Sequence, residues 1–275
     1  MTWCSITSDP VPIELPTFYL TDHRLIALGM LALLLAACEI GYRRGLANVG
    51  APDSLRPLMS GTGAAILGLL GLLMGFSLSM AIDRWNTRRN VIVEESNAIG
   101  TLYLRAGLLE EPLRGELRES LRAYNDARIA LGGSRRHPDK LRAARQESEA
   151  LHAVIWSVVE SANQPTTANA TLASLINSAN EVIDLHELRL ASIENHLPSA
   201  LLLLLVALGA LSVGFLAWGF GAASHRGRVP VVLLAFLISA LLLLIMDVNR
   251  PQRGMIAVGV ASLERASASI SAPTN

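Results

Sequence analysis

Cysteine is almost absent from this 275-residue sequence, which holds Cys4 and Cys38 and no others. Two thiols this far apart offer neither a disulfide framework nor a cysteine pair that could bind a metal. Lysine is scarce too, and the 23 basic residues, nearly all arginine, are balanced by 23 acidic ones. A chain without net charge has no overall field that would attract nucleic acid. We therefore expect no metal site, no cofactor and no nucleic-acid partner.

Charged residues of either sign are also few. They make up 17% of the chain, whereas 51% of the residues are apolar and the mean hydropathy is +0.40. This balance indicates that lipid is part of the solvent around the protein. The first apolar run begins after about 24 polar and proline-bearing residues and is followed by arginines, so no signal peptide is recognisable. We expect the first helix to remain in the mature protein.

Four apolar runs approach the roughly 20 residues that a helix needs to cross a hydrocarbon core of about 30 Å. They are Leu25 to Ile40, Gly61 to Ile82, Pro198 to Phe220 and Val229 to Met246. The first and fourth are short, and the first needs interfacial neighbours such as His23 or Tyr42 to span fully. Short connections predict that the first two helices, and likewise the last two, form antiparallel hairpins.

Between the second and third runs the sequence becomes charged, alanine-rich and leucine-rich, without β-branched alternation. This composition predicts helices, and the Pro and Gly positions divide them at about 84–110, 112–131, 138–162 and 167–196. The predicted fold is an all-α polytopic membrane protein with four transmembrane helices and a helical soluble domain inserted between helices two and three. Its parts are an N-terminal segment (1–24), a hairpin (25–82), the soluble domain (83–197), a second hairpin (198–247) and a C-terminal tail (248–275).

The orientation in the membrane stays open, because arginines flank the spans on both sides. Arg43, Arg44 and Arg56 in one loop, with Arg226 and Arg228 in another, favour placing those loops in the cytoplasm. Arg84, Arg88 and Arg89, with Arg250 and Arg253, lie at the opposite ends of the spans and favour the reverse.

The second apolar run carries small residues at three-residue and four-residue spacing. They are Gly61, Ala64, Gly68, Gly71, Gly75 and Ser79. One interpretation is a stripe that lets another helix pack closely. The other is a pore-lining face of an oligomer, formed by Gly68, Gly71, Gly75, Ser79 and Asp83. Periodicity does not separate the two.

A polar collar follows this run directly. Arg84, Trp85, Asn86 and Arg88 are its core, and Glu94, Glu95 and Asn97 come one to three turns later. Local ion pairs between these charges, with Trp85 at the membrane interface, would make an ordinary anchoring collar. The alternative interpretation is the mouth of a pore.

The order of Gly75, Phe76, Asp83, Arg84 and Trp85, leading through Arg88 and Arg89 to Asn97, resembles the second-helix signature of the bestrophins, with Asn86 in place of a second tryptophan. More closely, the run from Gly71 to Arg105 (GLLMGFSLSMAIDRWNTRRNVIVEESNAIGTLYLR), with DVNRPQRG from Asp247, is similar to the bacterial bestrophin-like membrane family. The resemblance implies a homopentamer in the bacterial inner membrane, whose second helices line an ion pathway.

A second polar group follows the fourth apolar run, where Asp247 and Arg250 surround the turn residues Pro251 and Gly254. This pattern is typical of a surface turn with solvated charges. The alternative is that the turn packs on the collar, with Asp247 or Arg250 pairing with its charges.

Enzyme chemistry has little support in this sequence. Asp184, His186 and Glu187 are close along the chain, but residues one or two apart do not share a helix face, so a solvated helix surface is the favoured interpretation. His152, His196 and His225 are isolated, and no HExxH motif, nucleophile elbow or phosphate-binding loop occurs. We expect a protein that is not an enzyme.

Two functions remain. The first is a homo-oligomeric bestrophin-like ion channel, for which the resemblance implies a pentamer and anion conduction. Its partners are copies of itself, membrane lipid and the permeating ions. The second is a non-conducting membrane scaffold or sensor whose helical domain binds a partner.

Overall fold

In the computed structural model, the described residues are 23–47, 55–133, 138–165, 167–223, 228–250, 256 and 258–271. Within these ranges the chain forms eight α-helices and no strand. The helices are α1 (His23–Ala47), α2 (Leu55–Ala106), α3 (Leu113–Gly133), α4 (Pro138–Ser161), α5 (Asn169–Glu194), α6 (Ser199–Ala222), α7 (Arg228–Asn249) and α8 (Ala261–Ser271).

Four of these helices, α1, α2, α6 and α7, are long and apolar enough to cross a membrane. The predicted all-α fold with four transmembrane helices and a helical insertion is therefore confirmed. The first helix is longer than its apolar run, because it continues to Ala47. In that added turn Arg43 Nε donates to Glu39 Oε1 at 2.7 Å, an ion pair at four-residue spacing.

Helix α2 has 52 residues and is unbroken from Leu55 to Ala106, a length of roughly 78 Å at 1.5 Å per residue. Gly100 lies inside the helix, so the glycine does not interrupt it. The helix stops just before Gly107, whose N–H donates to Leu104 O at 3.0 Å in a closing turn. One helix thus carries both the apolar run and the polar sequence that follows it.

Helix α8 is an element that the sequence analysis did not assign within the 248–275 tail. Its first turn accepts hydrogen bonds from side chains of two other helices. Ser96 Oγ donates to Ser262 O at 2.8 Å, and Asn125 Nδ2 donates to Leu263 O at 3.1 Å. These bonds hold α8 against α2 and α3.

The chain divides into two compact units. The first holds the described parts of Met1–Met74 and Pro198–Leu243. A Cβ added to Gly209 of α6 would lie 3.3 to 4.0 Å from side-chain atoms of Ile238, Leu34 and Leu70, so four helices meet at this position. Leu34 and Leu70 are 0% and 1% exposed. They form the centre of this unit.

Close packing of small residues in this unit occurs between α1 and α6. A Cβ on Gly41 would lie 2.2 Å from Gly214 O, and one on Gly45 would lie 2.2 Å from Trp218 O. A Cβ on Gly221 of α6 would likewise lie 2.3 Å from Tyr42 O. Glycine is required at these positions because the two backbones touch.

The second unit holds the described parts of Gly75–Leu197 and Leu244–Asn275. Its hydrophobic core comes from α2, α3, α4, α5 and α8. Among the fully buried members are Ile99, Leu102, Leu117, Leu121, Tyr124, Ile155, Leu175 and Leu263. The candidate site residues beyond Gly75 lie on the surface and in the core of this unit.

Candidate functional site

The small residues of α2 face away from the rest of the described chain. Gly68, Gly71, Gly75 and Ser79 are exposed. Within the described part of the chain, nothing outside the helix lies within 4 Å of a Cβ built on any of these three glycines. This stripe is therefore not used for close packing inside the described chain, unlike Gly41 and Gly45 of α1 and Gly221 of α6.

Large apolar residues flank the stripe. Leu69, Leu72, Phe76 and Met80 are between 40% and 59% exposed. Contiguous exposed apolar surface on a membrane helix is covered by lipid or by another protein chain. The outward surface of α2 therefore consists of a strip of small residues beside a strip of bulky ones.

The same face continues into polar sequence. Because 18 residues are about five turns of helix, a residue 18 positions further along faces the same way. Asn86 therefore points in the same direction as Gly68, Arg89 in that of Gly71 and Asn97 in that of Ser79. All three polar residues are exposed. Asn86 and Asn97 were predicted as collar residues, whereas Arg89 was not selected as a site residue.

Asp83 occupies a different position on the helix. It is exposed, but at about 100° per residue it lies about 60° around the helix from Asn86, on the side of Met80 and Thr87. There it lines an open cavity of about 310 Å³ together with Met80, Arg84, Thr87, Ser192 and Asn195. Arg84 Nε donates to Asn195 Oδ1 at 3.2 Å across this cavity.

Arg88 is 4% exposed and is held at the ends of two other helices. Its Nε donates to Ser192 O at 3.1 Å and its Nη2 to Asn195 O at 3.1 Å, at the C-terminus of α5. Its Nη1 and Nη2 also donate to Val248 O and Asn249 O, at 3.4 and 3.3 Å, at the C-terminus of α7. The last carbonyls of a helix lack partners within the helix and carry partial negative charge. One guanidinium therefore caps two helices.

Two other predicted collar residues have surroundings that differ from the expectation. Trp85 packs against the hydrophobic core, and its indole Nε1 is buried with no hydrogen-bond partner among the described residues, so it has no wet edge. Arg250 is 4% exposed rather than solvated at a surface turn. Asp247 Oδ2 accepts from the Ile256 N–H at 3.0 Å. The turn residues Pro251 and Gly254 lie outside the described residues.

A buried ionic cluster was missed by the sequence analysis. Glu95 is 0% exposed and accepts hydrogen bonds from Arg128 Nε and, at 2.6 Å, from Arg189 Nη1. The expected local pairing of this carboxylate with Arg88 is therefore wrong. Tyr124 also donates to Glu95, at 3.3 Å, and burial raises the pKa of that phenol. Two guanidinium groups thus surround one carboxylate in the core of the second unit.

Two histidines adjoin this cluster. His186 is fully buried, contrary to the prediction of a solvated helix face, and Arg128 Nη1 lies 2.8 Å from its Nδ1. Arginine always donates, so Nδ1 accepts and the proton lies on Nε2. His152 is half-buried, with its ring centroid 4.5 Å from that of His186. Burial first, and Arg128 second, lower the pKa of His152 to about 4 and that of His186 to about 2.

The spacing of apolar residues along the helices indicates that His186 and Arg128 are buried. In α5 the buried positions Leu175, Ala179, Val182 and His186 recur at three-residue or four-residue intervals. In α3, Leu117, Leu121, Tyr124 and Arg128 do the same. A charged residue on an otherwise apolar face is expected to be buried with a partner. The sequence does not identify that partner, because Glu95 and Arg128 belong to different helices.

Comparison with known proteins identifies relatives of this fold. The sequence model of the Bestrophin-like domain matches residues 30–263. A crystal structure of a bacterial bestrophin homolog from Klebsiella pneumoniae, a point variant, is 13% identical with a TM-score of 0.66, covering 87% of this chain and 99% of that one. A second structure of a K. pneumoniae bestrophin homolog is 15% identical with a TM-score of 0.65, covering 86% and 97%.

A further crystal structure, of a membrane protein variant, is 15% identical with a TM-score of 0.67 and covers 89% of this chain and 99% of that one. No curated protein sequence matches the chain. At such low identities the likeness to these structures extends to the fold. The match to the family model covers most of the sequence.

We predict that Arg88→Lys destabilises the protein whereas Arg89→Lys does not. A lysine cannot reach four carbonyls with a planar fork, and each buried acceptor left unsatisfied costs about 1–3 kcal/mol. Arg89 is the matched control because it is adjacent and exposed. The measurement is the thermal unfolding midpoint of purified protein in detergent. Equal midpoints for the two variants would contradict the capping role of Arg88.

We also predict that acid destabilises the second unit through its histidines. Both histidines are neutral when folded, but an unfolded histidine binds a proton below about pH 6.5. Stability is therefore complete above pH 6.5 and falls, by up to about 1.4 kcal/mol per pH unit for each histidine, as the pH drops towards 4. His186→Asn keeps an acceptor for Arg128 and His152→Gln removes the other titrating ring. Unfolding midpoints between about pH 7 and 4.5 should show a flatter dependence in the double variant; a slope equal to that of the unaltered protein would refute this.

Proposed function

The chain is a member of the Bestrophin-like family, and we propose that it assembles with copies of itself into an ion channel whose pathway is lined by α2. The observation that carries this proposal is the outward face of α2. No atom of the described chain outside the helix lies within 4 Å of a Cβ built on Gly68, Gly71 or Gly75, and the same face continues into polar residues. We further propose five copies, as the family resemblance implies, in the bacterial inner membrane.

A ring of α2 helices accounts for both strips on its surface. Gly68, Gly75 and Ser79 leave room for water and ions at the axis, because small side chains do not fill a pore. The bulky neighbours Leu72 and Phe76 then cover the contacts between subunits or meet lipid. Packing within one chain would not explain the stripe, since no described neighbour occupies it.

The charges on this face favour anions. Arg89 shares the direction of Gly71, whereas the exposed carboxylate of Glu94 shares the direction of Phe76 on the bulky flank. Asp83 lies on that flank too, at the cavity with Arg84. Arg88 is buried and therefore does not reach the pathway. A ring of arginines is a recognised means of selecting anions.

The proposal is tested by stoichiometry and conduction together. Native mass spectrometry should give a closed ring, and purified protein in liposomes should conduct chloride. A stable monomer or dimer without flux would favour instead a scaffold whose helical domain binds a partner.

We predict that Gly75→Leu reduces chloride flux on the order of tenfold, because five leucines would form an apolar constriction that excludes water. The matched control is Gly29→Leu in α1, where a Cβ also meets nothing within 4 Å of the described chain. Both changes add the same side chain to a membrane helix. Equal loss of flux in the two variants would remove α2 from the pathway.

We predict that Arg89→Glu lowers the ratio of anion to cation permeability on the order of tenfold, since it replaces a ring of cations by a ring of carboxylates. Arg142→Glu is the control, because Arg142 is an exposed arginine on α4, a helix that the proposal does not place in the pathway. Reversal potentials in a salt gradient measure the ratio. An unchanged reversal potential for Arg89→Glu would exclude this residue as the selecting charge.

A further inference from the structure

The open cavity beside α2 contains opposite charges that are not neutralised by each other. Its lining residues are Met80, Asp83, Arg84, Thr87, Ser192 and Asn195, and its volume is about 310 Å³. Cavities that bind small molecules have volumes of roughly 300–1,000 Å³. All six residues belong to the second unit.

The two charged groups are available to a ligand. Among the described residues, the Asp83 carboxylate has no hydrogen bond or ion pair, although the residue's backbone carbonyl accepts from Thr87 Oγ1 at 3.0 Å. Arg84 uses Nε on Asn195 Oδ1 and Nη1 on Met80 O, at 3.2 and 3.4 Å. Its Nη2 hydrogens have no partner in the described chain. The cavity therefore offers one cationic donor and one anionic acceptor.

The far wall of the cavity is fixed in place. Arg88 donates to the main-chain carbonyls of both Ser192 and Asn195, and Arg88 is itself buried. Asn195 in turn orients the Arg84 guanidinium. A site whose charged groups are already oriented loses less freedom when a ligand binds.

The sequence around the cavity places it at the level of lipid headgroups. Asp83 directly follows the apolar run 61–82, and Asn195 precedes the membrane helix α6, which begins at Ser199, by four residues. Met80, which is 40% exposed, adds an apolar side to the cavity. A molecule that fits these surroundings carries both charges at one end and an apolar tail at the other.

We propose that this cavity binds the headgroup of phosphatidylethanolamine. The lipid phosphate accepts from Arg84 Nη2, and its primary ammonium donates to the Asp83 carboxylate, with the Thr87 hydroxyl oxygen as a second acceptor. Both contacts are charge-assisted hydrogen bonds. Phosphatidylcholine has no N–H to donate, and phosphatidylglycerol has no cation to pair with Asp83. The site therefore distinguishes lipids by their amine.

The test measures lipid retained on the purified full-length protein by native mass spectrometry, with the three lipids carrying identical acyl chains. We expect the protein to retain about tenfold more phosphatidylethanolamine than phosphatidylcholine or phosphatidylglycerol. This is the change in affinity expected when one charge-assisted hydrogen bond is lost. Asp83→Asn should abolish the preference over phosphatidylcholine. Arg84→Gln should reduce retention of all three lipids, because all carry the phosphate.

Two exposed residues on the same helix supply matched controls, Glu94→Gln for the carboxylate and Arg89→Gln for the guanidinium. Both should retain the preference. Equal retention of the three lipids, or a preference that survives Asp83→Asn, would overturn the proposal. Soluble phosphoethanolamine at equal concentration is a further arm: if it displaces the lipid completely, the site binds a free zwitterion and the lipid assignment is wrong. Because retention is measured without ion flux, failure of this proposal is distinct from failure of the channel proposal.

Discussion

The buried guanidinium of Arg88 determines how several chain segments meet. It donates to four main-chain carbonyls, two at the end of α5 and two at the end of α7. These carbonyls carry the negative ends of two helix dipoles, and the charge that satisfies them is shielded from water. The α5 end leads within a few residues to the membrane helix α6, and there Asn249 Oδ1 accepts from the Leu197 N–H at 3.0 Å. The same side chain holds the wall of the cavity that Asp83 and Arg84 line.

Helix α2 carries buried polar residues on one face and exposed polar residues on the other. Arg88 and Glu95, seven residues apart, point to the inside, where each is almost fully removed from water. Asn86 comes two residues before Arg88, and Arg89 directly follows it, but both are exposed. The inner charges are bound to partners of the same chain and hold the fold together. The outer residues are the ones that the proposed channel places beside its ion pathway.

Much of the architecture could be predicted from sequence because lipid imposes strong constraints on it. Runs of apolar residues gave the four membrane helices, and composition gave the helical insertion. Local pairing was less predictable. Glu95 lies seven residues from Arg88 and was expected to pair locally, but it is bound instead by Arg128 and Arg189, far away in the chain. His186 looked solvated by its charged neighbours, although its helical period places it in the core. Pairings between distant helices depend on packing that no local pattern encodes.

The glycines of the membrane helices also show that a sequence pattern does not predict which residues are in contact. Gly41 and Gly45 of α1 pack directly on the backbone of α6, so they serve contact within the chain. Gly68, Gly71 and Gly75 of α2 have similar spacing but no described neighbour. In sequence the two sets are equivalent, since both could allow close approach of a helix. The fold separates them: the backbone of α6 fills the space beside one set, and no described residue fills the space beside the other. An apolar helix would be more stable in lipid with large side chains at those positions, because larger side chains make more dispersion contacts. In the proposed channel, small residues there, on the same face as Arg89, keep that space open for water and ions.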